Sequence, residues 1–414
     1  MKKQSRRSFL RSLAFKGGAD SQKPGPVLVC VFLRGGADTL NMIIPYGDDD
    51  YFKARPTLGI KTARNGKSGD GDLACPVTDF YSFHPRMQPL VEPFKDGRLL
   101  IVQSVGSDNV SGSHFEAQDQ MEHGESSSAR LTGGWLGRHL FCQENSRPSP
   151  FAAVSIGAAI PESLRGAPSA TAINTMEEIK LDSGKARSES VRSGLASLYG
   201  AAPAPLGQAG LETLALLSRV ETLGTSSYES SQLSRGVTYP DSQIGRRLRE
   251  VARIARAGIG LEIACVDMDN WDTHFFQGAA DGQQAILIGE LGQALSAFDR
   301  DMKGLPGGVT TLVLTEFGRR TYENSSMGTD HGRGFALMAL GDRIAGGRIL
   351  GAWKGLKDMK GLDDTALPVI GPGGLAVETD YRQVLAEVVK ELLGNRRLDK
   401  VFPGLVYRPV GITC

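Results

Sequence analysis

Residues 311–334, TLVLTEFGRRTYENSSMGTDHGRG, decide how the rest of the chain is read. Thr311, Leu312, Val313 and Leu314 make a run of buried-strand type. Glycine-rich, loop-like sequence follows at once and carries Glu316, Arg319, Asp330 and His331. A strand that opens into such a loop fits an open α/β sheet, where sites lie beyond the carboxyl ends of the strands. Asp330 and His331, framed by Thr329 and Gly332, offer one oxygen and one nitrogen ligand from a single turn, which suits a divalent metal of Zn or Mn type. An ordinary turn or a satisfied polar pair uses the same two residues.

Working outward, the strands and helices alternate. Val27 to Leu33 (VLVCVFL) is continuously apolar, as expected of a strand covered on both faces. It ends in Arg34-Gly35-Gly36-Ala37-Asp38, where the two glycines allow close backbone approach and Asp38 emerges past the strand end. A helix over about Met87 to Phe94 precedes a second strand, Leu99 to Val105. A further strand is expected over Pro150 to Ile156, a polar helix over Ser242 to Ala257, and a strand over Leu261 to Val266. Ile288, Leu291, Leu295, Phe298 and Met302 recur at helical spacing within Ala285 to Met302. Short strands are expected over Phe335 to Leu340 and Arg348 to Ala352, and a final helix over Asp380 to Leu393 stopped by Gly394. The pattern predicts an α/β fold with a mostly parallel central sheet and helices on both faces.

Composition bounds the rest. The 414 residues are enough for two domains or one large α/β domain with insertions. The reading taken here is a tail over 1–25 and a single α/β domain over 26–414, in which the Ser-, Ala- and Gly-rich stretch 157–240 is a helical insertion or cap. Lys plus Arg (47) nearly cancels Asp plus Glu (46), and no long basic stripe follows the N-terminus, so a nucleic-acid partner is not suggested. No apolar run is long enough to span a bilayer. Five widely spaced cysteines form neither a zinc ribbon nor a disulfide framework. Ser5 to Arg11, SRRSFLR, resembles a twin-arginine export motif and implies a periplasmic home, although little apolar sequence follows it. A short basic amphipathic start on a cytoplasmic protein is the alternative.

Two further stretches carry chemistry. Ser113 and Glu116 form a capping box at the start of a helix. The same position also places a hydroxyl among unpaired N–H groups at the positive end of the helix dipole, which favours an attacked anion such as phosphate or sulfate. Past the Leu261 to Val266 strand, DMDNWDTH supplies Asp272 and His274, two apart in an extended or turning segment and able to converge on one ion. A solvated acidic loop is the bland account of that stretch.

FLRGGADTLN, SHFEAQDQME, GGWLGR, WDTH, LTEFGRR and TDHGRG, in this order, resemble the domain of unknown function 1501 family over residues 26 to 394. That family is similar to the alkaline phosphatase and sulfatase superfamily. The resemblance implies metal at Asp38, Asp272, His274, Asp330 and His331, and a nucleophile at Ser113 or Ser111. It also implies that His114 and Glu316 assist, and that Arg319 or Arg34 clamps the remaining oxygens. The implied cofactor is a divalent cation, Zn, Mn, Fe or Ca, of which the first three suit a mixed Asp and His set. The implied substrate is a small-molecule or polymer-borne phosphate or sulfate ester. Two departures stand out: no histidine follows His331, so a two-zinc set would draw on His114 or another upstream His, and the sulfatase-like Cys/Ser-x-Pro-Ser-Arg stretch is absent. A non-catalytic exported binding protein on the same fold is the competing reading. An NAD-dependent enzyme is disfavoured because Gly35-Gly36 does not continue into a dinucleotide-binding fingerprint.

Overall fold

The structure is a computed structural model that describes residues 25–62, 73–128, 130–143, 149–178, 185–204, 206–225, 236–356 and 374–414. The twin-arginine-like stretch lies outside the described residues. The continuous apolar runs become the strands β1 (Val27–Leu33), β2 (Leu99–Gly106), β3 (Ala153–Ile156), β4 (Thr171–Ile173), β5 (Ile263–Met268), β6 (Val309–Thr315) and β7 (Phe335–Gly341). Two short strands, β8 (Arg348–Leu350) and β9 (Thr379–Asp380), follow. Among the described residues these nine form one sheet in the order β8-β2-β7-β6-β1-β5-β3-β4, with β9 also paired to β2.

β1 lies at the centre, parallel to β5 on one side and to β6 on the other. β7 is the exception, antiparallel to both β2 and β6. The sheet is therefore mostly parallel, and all strands except β7 end at one edge. That edge receives the segments after β1, β2, β5 and β6, which hold Arg34 to Asp38, the 107–113 loop, WDTH and the 316–334 loop.

Alternate residues of β1 enter different cores, which explains its unbroken apolar run. Val27, Val29, Val31 and Leu33 pack with Ile244, Leu248 and Val251 of one helix (Gln243–Ala257) and Ile288, Leu291 and Phe298 of another (Gln283–Met302). Leu28, Cys30 and Phe32 pack on the opposite face with Met121 of α1 (His114–His123), Leu136 of α2 (Trp135–Phe141) and Tyr381 of the helix Tyr381–Glu387. Helices thus cover both faces. Cys30 faces Cys265 across β1 and β5, and burial alone pushes the Cys30 thiol up to about 12, which leaves it inert.

The segment expected to be a helical cap differs at its start. Thr171–Ile173 joins the sheet edge as β4, and two helices, Lys185–Ala201 and Leu206–Thr225, follow. Three consecutive residues give too short a period-2 signal to stand out in Ser- and Ala-rich sequence. The helix expected to be last is interrupted, as Tyr381–Glu387, capped by Asp380, passes into a π-helical turn over Val388–Leu392, and a short helix, Leu398–Val401, follows it. No described helix is long and apolar enough to cross a membrane.

Leu312 is fully buried in β6, whereas Leu198 on the first insertion helix is 69% exposed. Urea denaturation of Leu312→Ala should therefore show a loss of about 2–5 kcal/mol, and Leu198→Ala should stay within about 0.5 kcal/mol of the parent.

Candidate metal centre

At the shared strand edge the loops are fastened by backbone contact. Gly35 has φ +119°, and a Cβ there would sit 2.6 Å from the amide nitrogen of Asp272, so only glycine lets the β1 loop lie against WDTH. A Cβ on Gly328 would likewise sit 2.2 Å from the carbonyl oxygen of His274, where the 316–334 loop lies against WDTH from the other side. The 316–334 segment folds back on itself: Gly318 N donates to Arg333 O (2.9 Å), Gly332 N to Gly318 O (2.8 Å) and Arg320 N to Asp330 O (2.9 Å). His331 is thereby brought opposite Arg319.

Arg319 was expected to clamp substrate, and the structure corrects this. Its guanidinium is buried and donates to the carbonyls of Gly35, Gly36 and Trp271, to Thr329 O at 2.8 Å, and to Asp272 Oδ1. A cation with five internal acceptors in three loops is a scaffold element. Arg34 is likewise committed, to Glu122, Asp267 and Gln118.

Asp38 also leaves the expected ligand set. It is fully buried, Arg55 grips both of its oxygens (2.5 and 3.0 Å), and Gln277 Nε2 donates to Oδ2 at 2.7 Å. Gln277 Oε1 in turn accepts from Thr273 (2.9 Å) and Thr329 (2.6 Å). Asp38 thus supports the two site loops from beneath.

The remaining residues do meet. His274 Nε2 lies 3.0 Å from His331 Nε2 and 3.0 Å from Asp272 Oδ1, and His331 Nε2 lies 3.2 Å from the same Oδ1. His114 Nε2 lies 3.4 Å from Asp272 Oδ2, and it is buried without a hydrogen-bond partner. Donor atoms of His114, Asp272 and His331 all fall within 4.8 Å of one another. Four donors around a cation at zinc-like bond lengths stand roughly 3.3 Å apart; the distances among His274, His331 and Asp272 and from His114 to Asp272 are of that size, while His274 is not one of the three residues grouped within 4.8 Å.

The opposite ring nitrogens explain the orientation. His331 Nδ1 faces the carbonyl of Gly112 at 2.8 Å, and a carbonyl only accepts, so the proton is on Nδ1. His274 Nδ1 faces Asp330 Oδ1 at 2.9 Å, and His114 Nδ1 faces Glu316 Oε1 at 2.7 Å. Each imidazole therefore presents Nε2 to the centre, the arrangement metal-binding histidines use. Asp330, expected as a ligand, is instead the carboxylate behind His274, steadied by Asn324 Nδ2 at 3.1 Å. Glu316, expected to assist catalysis, is fully buried behind His114 and accepts from Gly35 N (2.9 Å), Gln118 Nε2 (2.9 Å) and Thr315 Oγ1 (2.9 Å).

With no cation bound, the carboxylates favour a charged His114, whose Nε2 proton a metal would have to displace. Burial works against the charge on Asp272, yet His114, His331 and Arg319 hold its carboxyl far below the usual range. Burial would lower the His114 pKa, but Asp272 and Glu316 raise it to about 9. Asp330 and Glu316 are both held below the usual carboxylate range, against burial, chiefly by His274 and His114 respectively.

Ser113 is the N-cap of α1, its Oγ accepting from Glu116 N at a long 3.5 Å, while its own N–H donates to Ser111 Oγ at 3.2 Å. It lies between Gly112, whose carbonyl holds His331 from behind, and His114. The supports Arg55, Gln118, Gln277 and Asn324 were not singled out from sequence. Gln277, three residues past His274, and Gln118, four past His114, lie close enough in sequence to have been found by searching the flanks of the motifs for amide side chains.

Truncating the scaffold cation, as in Arg319→Met, strands several buried carbonyls and should destabilise the fold by about 3–5 kcal/mol in denaturant titrations. Asp38→Leu should cost a comparable amount, because the Arg55 guanidinium is then buried unpaired.

No curated protein and no solved structure matches the chain. The family model described as "Protein of unknown function (DUF1501)" matches residues 26–365. The chain is therefore a member of the DUF1501 family.

Proposed function

We propose that His114, Asp272, His274 and His331 hold one divalent cation and that the protein hydrolyses phosphate or sulfate esters there. One observation carries the metal reading: three imidazoles have Nδ1 tied to an acceptor and Nε2 turned toward a single carboxylate. Without a cation or a shared proton, the Nε2 lone pairs of His274 and His331 would face each other at 3.0 Å. The orphaned Nε2 of His114 fits the same account. Three nitrogens and an oxygen suit Zn, Mn or Fe better than Ca.

A bound divalent cation would supply charge neutralisation for the non-bridging oxygens of the ester and lower the pKa of a nearby hydroxyl. The chain's own contribution begins with the start of α1, whose unpaired N–H groups favour an anionic group beside Ser113. Attack by Ser113 Oγ forms the new bond to phosphorus or sulfur and breaks the ester bond. The serine proton ends on the departing alkoxide, and water then cleaves the seryl ester to regenerate the hydroxyl. Asp330 and Glu316 keep two of the imidazoles in the tautomer that binding requires. The position of the centre at the carboxyl edge of a mostly parallel sheet is consistent with a relation to the alkaline phosphatase and sulfatase superfamily, which remains part of this proposal. So does export through the twin-arginine-like segment.

The commitment of Arg319 and Arg34 to internal partners, together with the capping role of Ser113, favours the second reading, a metal-holding protein without turnover. Elemental analysis and assays with aryl phosphate and aryl sulfate separate the two. We expect about one equivalent of metal and measurable turnover. Ser113→Ala should abolish turnover while retaining the metal. Asp330→Asn and Glu316→Gln should each weaken metal affinity by about 10–100-fold. Stoichiometric metal with no turnover supports the second reading, and a protein that takes up no metal refutes both.

A further inference from the structure

Large apolar side chains scattered singly on a surface carry no message, but their grouping at a polar centre does. Phe115 is 88% exposed and follows His114; Phe275 and Phe276 are 67% and 70% exposed and follow His274. Met327, 45% exposed, is joined to that same turn, because Gln277 N donates to its carbonyl at 2.9 Å and Phe276 N donates to Ser326 O at 2.9 Å. Val110, also 45% exposed, sits two residues before Gly112, the acceptor for His331. Each rides on a segment that supplies a histidine of the centre or the acceptor behind one, and the Phe275 ring centroid is 6.4 Å from that of His274.

Two of the five are held at a backbone cost. Phe276 has φ +45° and Met327 φ +55°, the left-handed region that a bulky side chain seldom occupies. Backbone hydrogen bonds between the two turns hold both residues there, with their side chains left toward solvent. Strain of this kind collects at functional sites.

We infer that these residues form an apolar collar that receives the hydrophobic body of the substrate, so that the preferred substrate is an ester whose anionic head is joined to an aryl or long-chain group. This rests on the metal-centre reading above. The occupant is the substrate and not a partner surface because of where the collar lies. A protein or membrane covering Phe115 and Phe275 would also cover the neighbouring His114 and His274 and close the mouth through which Asp272, 46% exposed, meets solvent. An amphiphilic small molecule instead satisfies the charged centre and the collar together.

The test uses the full-length, zinc-loaded protein and two non-hydrolysable probes, naphthylmethylphosphonate and methylphosphonate, titrated calorimetrically with and without metal. The naphthyl compound should bind at least about tenfold more tightly in the zinc form. In Phe276→Asn, and in Phe115→Ser with Phe275→Ser, the ratio of the two dissociation constants should fall toward one. Phe276→Asn should unfold at a temperature no lower than the parent, since asparagine tolerates left-handed backbone. Zinc-dependent binding of both probes with equal affinity overturns the collar and leaves the metal centre standing. Loss of zinc dependence for both overturns the two together. Collar-dependent binding to phosphatidylcholine vesicles, or collar-dependent dimerisation in sedimentation, would assign the surface to a membrane or a second copy and also overturn the inference.

Discussion

The buried guanidinium of Arg319 is the interaction on which the site depends. A cation removed from water must have its donors satisfied, and this one finds acceptors in the loops after β1, β5 and β6 together. The loops are therefore not independent: the position of each is specified by the same planar fork. Arg319 also donates to Asp272 Oδ1, the carboxylate toward which the three imidazoles turn. Beneath it, the fully buried Asp38–Arg55 pair and Gln277 perform the same service for Thr273 and Thr329. Arg319 and the Asp38–Arg55 pair thus make the floor, and the solvent-facing groups are left to the chemistry.

The arrangement of the histidines follows from hydrogen-bond accounting. Each Nδ1 has its own acceptor: the Gly112 carbonyl before α1, and the Asp330 and Glu316 carboxylates from opposite ends of the 316–334 loop. Three rings oriented independently have no reason to aim their second nitrogens at one point unless something there rewards it. His114 Nε2, 3.4 Å from Asp272 Oδ2, is left buried without a well-formed hydrogen bond. In a purely structural network that orphan would be a loss of about 1–3 kcal/mol.

Much of the fold was legible because burial on both faces writes itself as continuous apolar runs, as in Val27–Leu33 and Phe335–Gly341. Strand direction was less so. The antiparallel course of β7 follows from the 316–334 hairpin-like return, whose pairing between Gly318 and Arg333 has no periodic signature. The centre was legible as a set of loops, since a carboxylate or imidazole just past a strand end is conspicuous. Which of them point inward was not. Asp38 and Asp330 look like ligands by residue type and place, yet one is taken by Arg55, a residue with no motif of its own, and the other by the ring nitrogen of His274. Sequence spacing states which groups are near one another, and only the partners behind them decide which way each faces.

The central claim is spatial, so the most direct measurement is an anomalous difference map from crystals of the protein grown with zinc and collected across the zinc edge. The account predicts one peak at bonding distance, about 2.0–2.1 Å, from Nε2 of His114, His274 and His331, with the Asp272 carboxylate as the fourth donor. Well-ordered imidazoles with no peak between them, their Nε2 atoms hydrogen-bonded to water or to one another, would contradict it.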